Sequence, residues 1–144
     1  MPTSYHQLFV YGSLRSDSGH PAHELVSNDF SLLGPASVKG KVYDLGEYPG
    51  AIPSAGESLI SGELYRLKEG ADFEAAAARL DEYEGVNETP PLFTRNLVDV
   101  YLDGRPTRAW IYWYNGSVEG KPWMESGNAL QGMERKITYK NNNN

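Results

Sequence analysis

The chain has 144 residues, a formal net charge of −6 and no cysteine. Hydrophobic residues make up 40% and charged residues 22%, which is the balance of a folded globular domain and not of a disordered chain. The acidic charge argues against nucleic acid as a partner, because such binding draws most of its affinity from phosphate neutralisation. The lack of cysteine excludes a disulfide framework and a thiol nucleophile.

Length and composition predict a single domain over residues 1–140, followed by a polar tail at residues 141–144 that we expect to be disordered. The opening residues MPTSYHQ lack the basic and apolar segments of a secretory signal. No apolar run approaches the roughly 20 residues that span a bilayer. We therefore expect a cytoplasmic protein without a membrane partner, present as a monomer or a weak homodimer.

Short runs of β-branched and aromatic residues, separated by glycine and proline, predict about five strands. In chain order they cover residues 7–11, 38–45, 58–67, 96–102 and 107–114. Asp103 and Gly104 predict a hairpin between the last two strands. Gly62 predicts a bulge or a close backbone approach in the third strand. The segment EYPGAIPSAGES, rich in proline and glycine, predicts a loop.

The clearest helix is ADFEAAAARLDEYEG, residues 71–85, in which Asp72 can cap the start and Gly85 stands where glycine closes a helix. A shorter helix is predicted over residues 20–26, and loop with some helix over residues 122–133. These elements predict an α+β domain whose antiparallel sheet curves or closes into a barrel, with helices at its margin.

The last turn of the long helix places a carboxylate on the apolar face. On a helical wheel that starts at Phe73, Leu80 lies at about −20° and Glu84 at about 20°, whereas Glu82 lies at about 180° and faces solvent. Burial raises the pKa of a carboxyl group and so suits it to acid–base catalysis. The alternative is that the helix frays at its end and Glu84 points into water. The wheel alone does not decide between them.

The first strand ends in FVYGSLR, residues 9–15, which permits two interpretations. It is either an ordinary glycine turn or a nest of backbone N–H groups after Gly12 that binds an anion. Ser13 can add a hydroxyl group, and Arg15 either steers an anionic ligand or pairs with an acidic neighbour. A nucleotide-binding P-loop is excluded, because the string GxxxxGK[ST] does not occur.

The aromatic strand AWIYWY, residues 109–114, places Tyr112 and Tyr114 on one face and Ile111 and Trp113 on the other. The strand is either buried on both sides or lines a small pocket with its tyrosine hydroxyls. The histidines do not have the spacing of metal ligands, so no metal site is predicted.

Taken in order, YGSLR, LDEYEG, FTR and IYWY resemble the γ-glutamylcyclotransferase-like superfamily, in particular its γ-glutamylamine cyclotransferase and AIG2-like branch. The resemblance covers about residues 7–115, most of the chain. It implies a small mixed β-barrel of about five to seven strands with flanking helices.

The resemblance also implies roles for particular residues. Glu84 corresponds to the catalytic acid and base, while Tyr112, Tyr114 and Arg95 correspond to residues that line the site. Phe93 replaces a tyrosine of the family, so no hydroxyl group is available at that position. The residues implied in substrate binding, through the backbone amides of the first loop, are Tyr11, Gly12, Ser13 and Leu14, and the adjoining Arg15 is included as a residue that either steers the anionic substrate or pairs with an acidic neighbour.

The activity that the resemblance implies is a cofactor-independent cyclotransferase reaction on a small γ-glutamyl amide, with the chemistry of a lyase or acyltransferase. The α-amino group attacks the γ-carbonyl, releasing 5-oxoproline and a free amine or amino acid. The alternative is a non-catalytic protein on the same barrel that binds a small carboxylate or serves as a stress-related interaction module. Because a buried carboxylate is costly for a protein that only binds, Glu84 favours the enzyme.

Overall fold

The computed structural model describes residues 6–130. Its strands are β1 Gln7–Val10, β2 Phe30–Asp44, β3 Pro49–Pro53, β4 Leu59–Leu67, β5 Phe93–Leu102 and β6 Arg105–Tyr114. Its helices are α1 Glu24–Ser27, which follows a 3-10 turn at Pro21–His23, and α2 Phe73–Tyr83. Within residues 6–130, no helix is long and apolar enough to cross a bilayer. The predicted tail at 141–144 and the ends of the predicted domain and of the 122–133 segment lie outside the described residues.

Five strands close into a barrel. They pair in the order β2, β4, β1, β6 and β5, and a bridge between Ser37 and Tyr101 joins β5 back to β2. Neighbouring strands run antiparallel, except that β1 and β6 are parallel and pair Leu8 with Trp110. Strand β3 pairs with β2 outside this ring. The predicted α+β fold with a small mixed barrel is therefore confirmed, and closure removes the exposed edges of an open sheet.

Alternation along the strands gives the barrel two hydrophobic surfaces. The inner one includes Phe9, Ile60 and Ile111, all nearly inaccessible to solvent. The outer one includes Leu8, next to Phe9 in β1, and packs against Leu80 of α2. The opposite faces predicted for the aromatic strand follow the same division, because Ile111 and Trp113 lie inside and Tyr112 lies outside.

The first part of β2 and the whole of β3 differ from the sequence prediction. Strand β2 begins at Phe30 rather than 38, and a β-bulge between Leu32 and Gly34 absorbs the irregular pattern of FSLLGPAS. Strand β3 occupies part of the segment that we predicted to be a loop. Its prolines stand at its two ends, Pro49 and Pro53, where an edge strand tolerates a missing N–H donor.

Gly62 in β4 shows the close backbone approach that its position in a strand predicts. A Cβ atom there would collide with the carbonyl oxygen of Val10 and lie 2.6 Å from Cζ of Phe9. The pairing of Ala36 with Gly62 continues without a register shift, so the glycine marks close contact and not a bulge. This contact lets β1 lie directly against β4 at the point where β1 ends.

Candidate active site

A cavity of about 230 Å³ opens where β1 ends. Its walls come from β1 and the loop after it, the start of β3, the end of α2, the start of β5 and the last part of β6. The residues predicted for the site that line this cavity are Tyr11, Gly12, Ser13, Leu14, Glu84 and Tyr112. Segments far apart in the chain therefore contribute to one pocket.

The end of α2 is capped and places Glu84 in the cavity wall. Glu84 is the C-cap residue, with helical backbone angles of −84° and −1°. The Val86 N–H donates to the carbonyl oxygen of Asp81 at 2.9 Å, and the Gly85 N–H donates to that of Glu82 at 3.2 Å. This is the Schellman arrangement, which needs the positive φ of 72° at Gly85. The helix is closed at this point and does not fray, and the Glu84 side chain lines the pocket.

The cavity changes the acidity of this carboxyl group. Burial raises the pKa of Glu84 from its ordinary value of 4.5 to about 7. Among the described residues that line the cavity, Glu84 is the one with an acidic or basic side chain. No neighbouring cation in the lining offsets the loss of hydration. A carboxyl group with a pKa near neutrality can both accept and donate a proton at physiological pH.

We expect this raised pKa to appear in the stability of the protein. The folded state binds this proton more tightly than the unfolded state does, so the contribution of Glu84 to stability is full below about pH 4.5 and is lost as the pH rises through about 7. The shift corresponds to at most about 3 kcal/mol. Urea unfolding of the wild type and Glu84→Gln, at about pH 4.5 and pH 8, measures it. The variant should gain stability relative to the wild type at the higher pH.

Glu82→Gln is the matched control for this titration, because Glu82 is exposed on the same helix. Its stability relative to the wild type should be nearly the same at both pH values. If the stability of Glu84→Gln relative to the wild type were also the same at both pH values, a raised pKa of Glu84 would be contradicted.

The carbonyl groups of the loop after β1 are satisfied by hydrogen bonds within the protein. The N–H groups of Gly12, Ser13 and Leu14 have no acceptor among residues 6–130. Successive unpaired N–H groups in a turn are able to bind an anion. The carbonyl oxygens are paired as follows: Gly12 O with the Arg15 N–H at 3.0 Å, Ser13 O with the Ser18 hydroxyl at 2.7 Å, and Leu14 O with Nδ1 of His23 at 2.8 Å.

A buried carboxylate in β4 supports this loop. Glu63 is 8% exposed and accepts a hydrogen bond from the Ser16 N–H at 2.7 Å and another from the Ser16 hydroxyl at 2.5 Å. The Tyr65 hydroxyl donates to the same carboxylate at 2.9 Å. Sequence reasoning missed Glu63, although a glutamate among the apolar residues of SLISGELYRL is a signal that could have found it.

Ser13 and Tyr83 connect the loop to the end of α2. Their hydroxyl oxygens are 2.7 Å apart, and both residues line the cavity. Because Tyr83 directly precedes Glu84, this bond joins the loop to the end of the helix that carries the carboxyl group. The Ser13 hydroxyl is therefore hydrogen-bonded within the protein, to another residue of the cavity wall.

The hydroxyl groups of Tyr11 and Tyr112 are both used for internal bonds. The Tyr11 hydroxyl donates to the carbonyl oxygen of Tyr112 at 2.7 Å and accepts from the Ala51 N–H at 3.2 Å. The Tyr112 hydroxyl donates to Asp81 at 2.8 Å. Burial is the largest cause that raises the pKa of each tyrosine, so both remain neutral. Their rings thus shape the cavity wall.

Three predicted site residues lie outside the cavity lining. Arg15 makes two bonds to Asp17, at 2.9 and 2.8 Å, so it pairs with an acidic neighbour. Arg95 makes two bonds to Asp81, at 2.8 and 3.2 Å, and its guanidinium carbon lies 4.5 Å from the ring centre of Trp110. Tyr114 packs against another ring, with its centroid 5.6 Å from that of Phe93. The structure does not bring these three side chains into the pocket.

The cavity also contains residues that sequence reasoning did not assign to it, namely Tyr48, Pro49 and Leu92. A Cβ atom at Gly12 would lie 3.1 Å from Cγ of Pro49, so the β1 loop and the start of β3 meet closely. No local pattern predicts this contact, because it joins segments that are distant in the chain.

The closed mixed barrel is the fold of the γ-glutamylcyclotransferase-like proteins. The family model described as gamma-glutamyl cyclotransferase, AIG2-like, matches residues 8–129, and the chain belongs to this family. It is 35% identical over 125 residues to the gamma-glutamylcyclotransferase family protein ytfP of Citrobacter rodentium. That match covers 86% of this chain and 95% of the relative.

A second relative has a more specific name. The gamma-L-glutamyl-butirosin B gamma-glutamyl cyclotransferase of Niallia circulans is 34% identical over 109 residues, covering 75% of this chain and 66% of that protein. Among solved structures, the solution structure of ytfP from Escherichia coli matches with a TM-score of 0.55 and 33% identity, over 84% of this chain and 93% of that one. The family resemblance predicted from the four motifs is confirmed.

Proposed function

We propose that this protein is a γ-glutamyl cyclotransferase that converts a small γ-glutamyl amide into 5-oxoproline and a free amine or amino acid. The observation that carries the proposal is the Glu84 carboxyl group, with a pKa raised to about 7, in the same cavity as the unpaired N–H groups of the β1 loop. The activity for which the Niallia circulans relative is named supports the reaction class.

The substrate would bind through its α-carboxylate. The N–H groups of Gly12, Ser13 and Leu14 are the donors for it, so no cationic side chain is required. The α-ammonium group would then face Glu84 across the pocket. Holding the α-nitrogen close to the γ-carbonyl favours ring closure, since orientation of reacting groups removes much of the entropic barrier.

Glu84 in its ionised form would take a proton from the α-ammonium group. The freed nitrogen attacks the γ-carbonyl carbon, forming the ring C–N bond, and the C–N bond to the leaving amine breaks. Glu84 returns its proton to the leaving nitrogen. The α-nitrogen loses two protons in total, and the second one protonates the released amine. Atoms and charge balance without water, so the products are 5-oxoproline and the released amine in its protonated form.

Detection of 5-oxoproline by mass spectrometry across γ-glutamyl amines, γ-glutamyl amino acids and glutathione tests the proposal. We expect equimolar 5-oxoproline and amine from at least one class. The matched control is the same substrate with an acetylated α-nitrogen, which cannot close the ring. Release of glutamate without 5-oxoproline would instead indicate a hydrolase. Binding of the panel without turnover would indicate a non-catalytic carboxylate-binding protein.

A further inference from the structure

We infer that the leaving group of the substrate is an uncharged, apolar amine, bound against Tyr48, Leu92 and Phe93. This inference rests on the proposed function. It concerns the amine half of the substrate, whose identity the proposed reaction does not specify. With the β1 loop and Glu84 assigned to the glutamyl half, these side chains and Pro49 form a further, apolar part of the lining. A leaving group bound beside the glutamyl half lies against this wall.

The wall is aromatic and aliphatic. The rings of Tyr48 and Phe93 have centroids 5.9 Å apart in a tilted arrangement. The backbone of Leu92 is held on both sides, because its N–H donates to Gly85 O at 3.0 Å and its carbonyl oxygen accepts from the Asn115 N–H at 3.0 Å. Burying an apolar substituent of the leaving group against these side chains is favourable, because it removes apolar surface from water.

A carboxylate on the leaving group would have no partner in this cavity. The arginines that the motifs pointed to, Arg15 and Arg95, are paired with Asp17 and Asp81 and lie outside the lining. Among residues 6–130, no lysine or arginine lines the pocket. A second carboxylate would therefore be desolvated near Glu84 and without a counterion, which is strongly unfavourable.

A positive charge on the leaving group is also disfavoured inside the cavity. Among the described residues that line the cavity, Glu84 is the acidic one, and in the proposed reaction it already interacts with the α-nitrogen. Glu47 and Glu88 lie near the Tyr48 hydroxyl but are exposed, where water and salt screen their attraction for a cation. Desolvating an ammonium group against Leu92 and Phe93 costs more than placing a methyl group there.

Two matched substrate pairs test the inference on the wild-type protein. The γ-glutamyl amide of 3-methylbutylamine differs from γ-glutamyl-leucine by the carboxylate alone. The amide of n-pentylamine differs from that of 1,4-diaminobutane by a terminal methyl in place of an ammonium group. We expect kcat/KM for 5-oxoproline release to be at least about tenfold higher for the uncharged member of each pair.

Replacing a wall residue provides a second readout. Tyr48→Ala should lower kcat/KM for the 3-methylbutylamide about tenfold and that for the methylamide by a smaller factor, because the methyl group does not reach the wall. Equal or higher values for γ-glutamyl-leucine or the diaminobutane amide would overturn the inference while the proposed function stands. No 5-oxoproline from any of the four, together with turnover of glutathione or another γ-glutamyl amide, would overturn the inference alone. No 5-oxoproline from any γ-glutamyl amide would overturn the proposed function.

Discussion

Replacing Glu84 with glutamine should lower the rate of 5-oxoproline release by about a thousandfold while leaving the fold intact. Glutamine has nearly the same shape but cannot carry a proton between the α-nitrogen and the leaving nitrogen. The helix end does not depend on the carboxylate, since the closing hydrogen bonds of α2 are made by the backbone of Val86 and Gly85. Steady-state assays by mass spectrometry measure the rate, and circular dichroism measures the fold.

Glu82→Gln is the control for this experiment as well. Glu82 lies on the same helix, carries the same charge and is exposed to solvent. Its replacement should change turnover by less than about twofold, because a screened surface charge contributes little. A Glu84→Gln protein that retained the wild-type rate would show that another group transfers the proton. It would leave the family membership unchanged, because that rests on the match over residues 8–129.

Replacing Gly62 with alanine should reduce the free energy of unfolding by about 3 kcal/mol. The new methyl group would collide with the carbonyl oxygen of Val10 and lie 2.6 Å from Cζ of Phe9. Phe9 is 1% exposed in the barrel interior, and Val10 belongs to the β1–β4 ladder, so neither can move aside cheaply. Urea unfolding monitored by tryptophan fluorescence gives the free energy.

Gly56→Ala is the matched control for this substitution. The nearest atom to a Cβ at Gly56 is the Ser54 hydroxyl oxygen at 3.6 Å, an ordinary contact in a surface segment. This variant should change stability by less than about 1 kcal/mol, and in the stabilising direction if the unfolded chain loses freedom. If both alanine variants had equal stability, the close packing of β4 against β1 would be contradicted.

A catalytic role for the cavity also explains its mixture of rigid and charged parts. The Ser13–Tyr83 bond and the Glu63–Ser16 bonds hold the loop on two sides, while the end of α2 places Glu84 opposite. In the proposed reaction, this rigidity keeps the substrate's nitrogen and carbonyl carbon in reacting geometry. A binding protein would not need a carboxyl group whose ionisation is opposed by its surroundings.

Local patterns in the sequence determine most of the secondary structure. Alternation predicts β4 and β6 almost to the residue, because side chains on a strand must divide between two surfaces. Helical periodicity places Glu84 among the apolar positions of α2, and Gly85 ends the helix as its position suggests. The resemblance of the motifs to a known family predicts the barrel. These features depend on neighbours within a few residues, which is why the sequence alone carries them.

Local patterns do not predict β3 or the first part of β2. Strand β3 looks like a loop because its prolines and glycine are unsuited to a central strand, yet one side of β3 pairs with β2 from Gly40 to Asp44. The early part of β2 likewise contains a bulge at Gly34 that breaks the alternation. In both cases a partner strand stabilises a segment whose own composition is ambiguous.

The barrel class, the family and the carboxylate on the apolar face of α2 are therefore all predictable from the residues alone. Which of the predicted side chains share the cavity depends on how the strands and helices pack in three dimensions. Arg15 and Arg95 are each taken by an aspartate, whereas Tyr48 and Glu63 enter the site or support it without any motif. The partners of these side chains are not predictable from the sequence because a charge or an aromatic ring interacts only with groups that lie within a few ångströms of it. Barrel closure sets those distances between segments that are far apart in the chain.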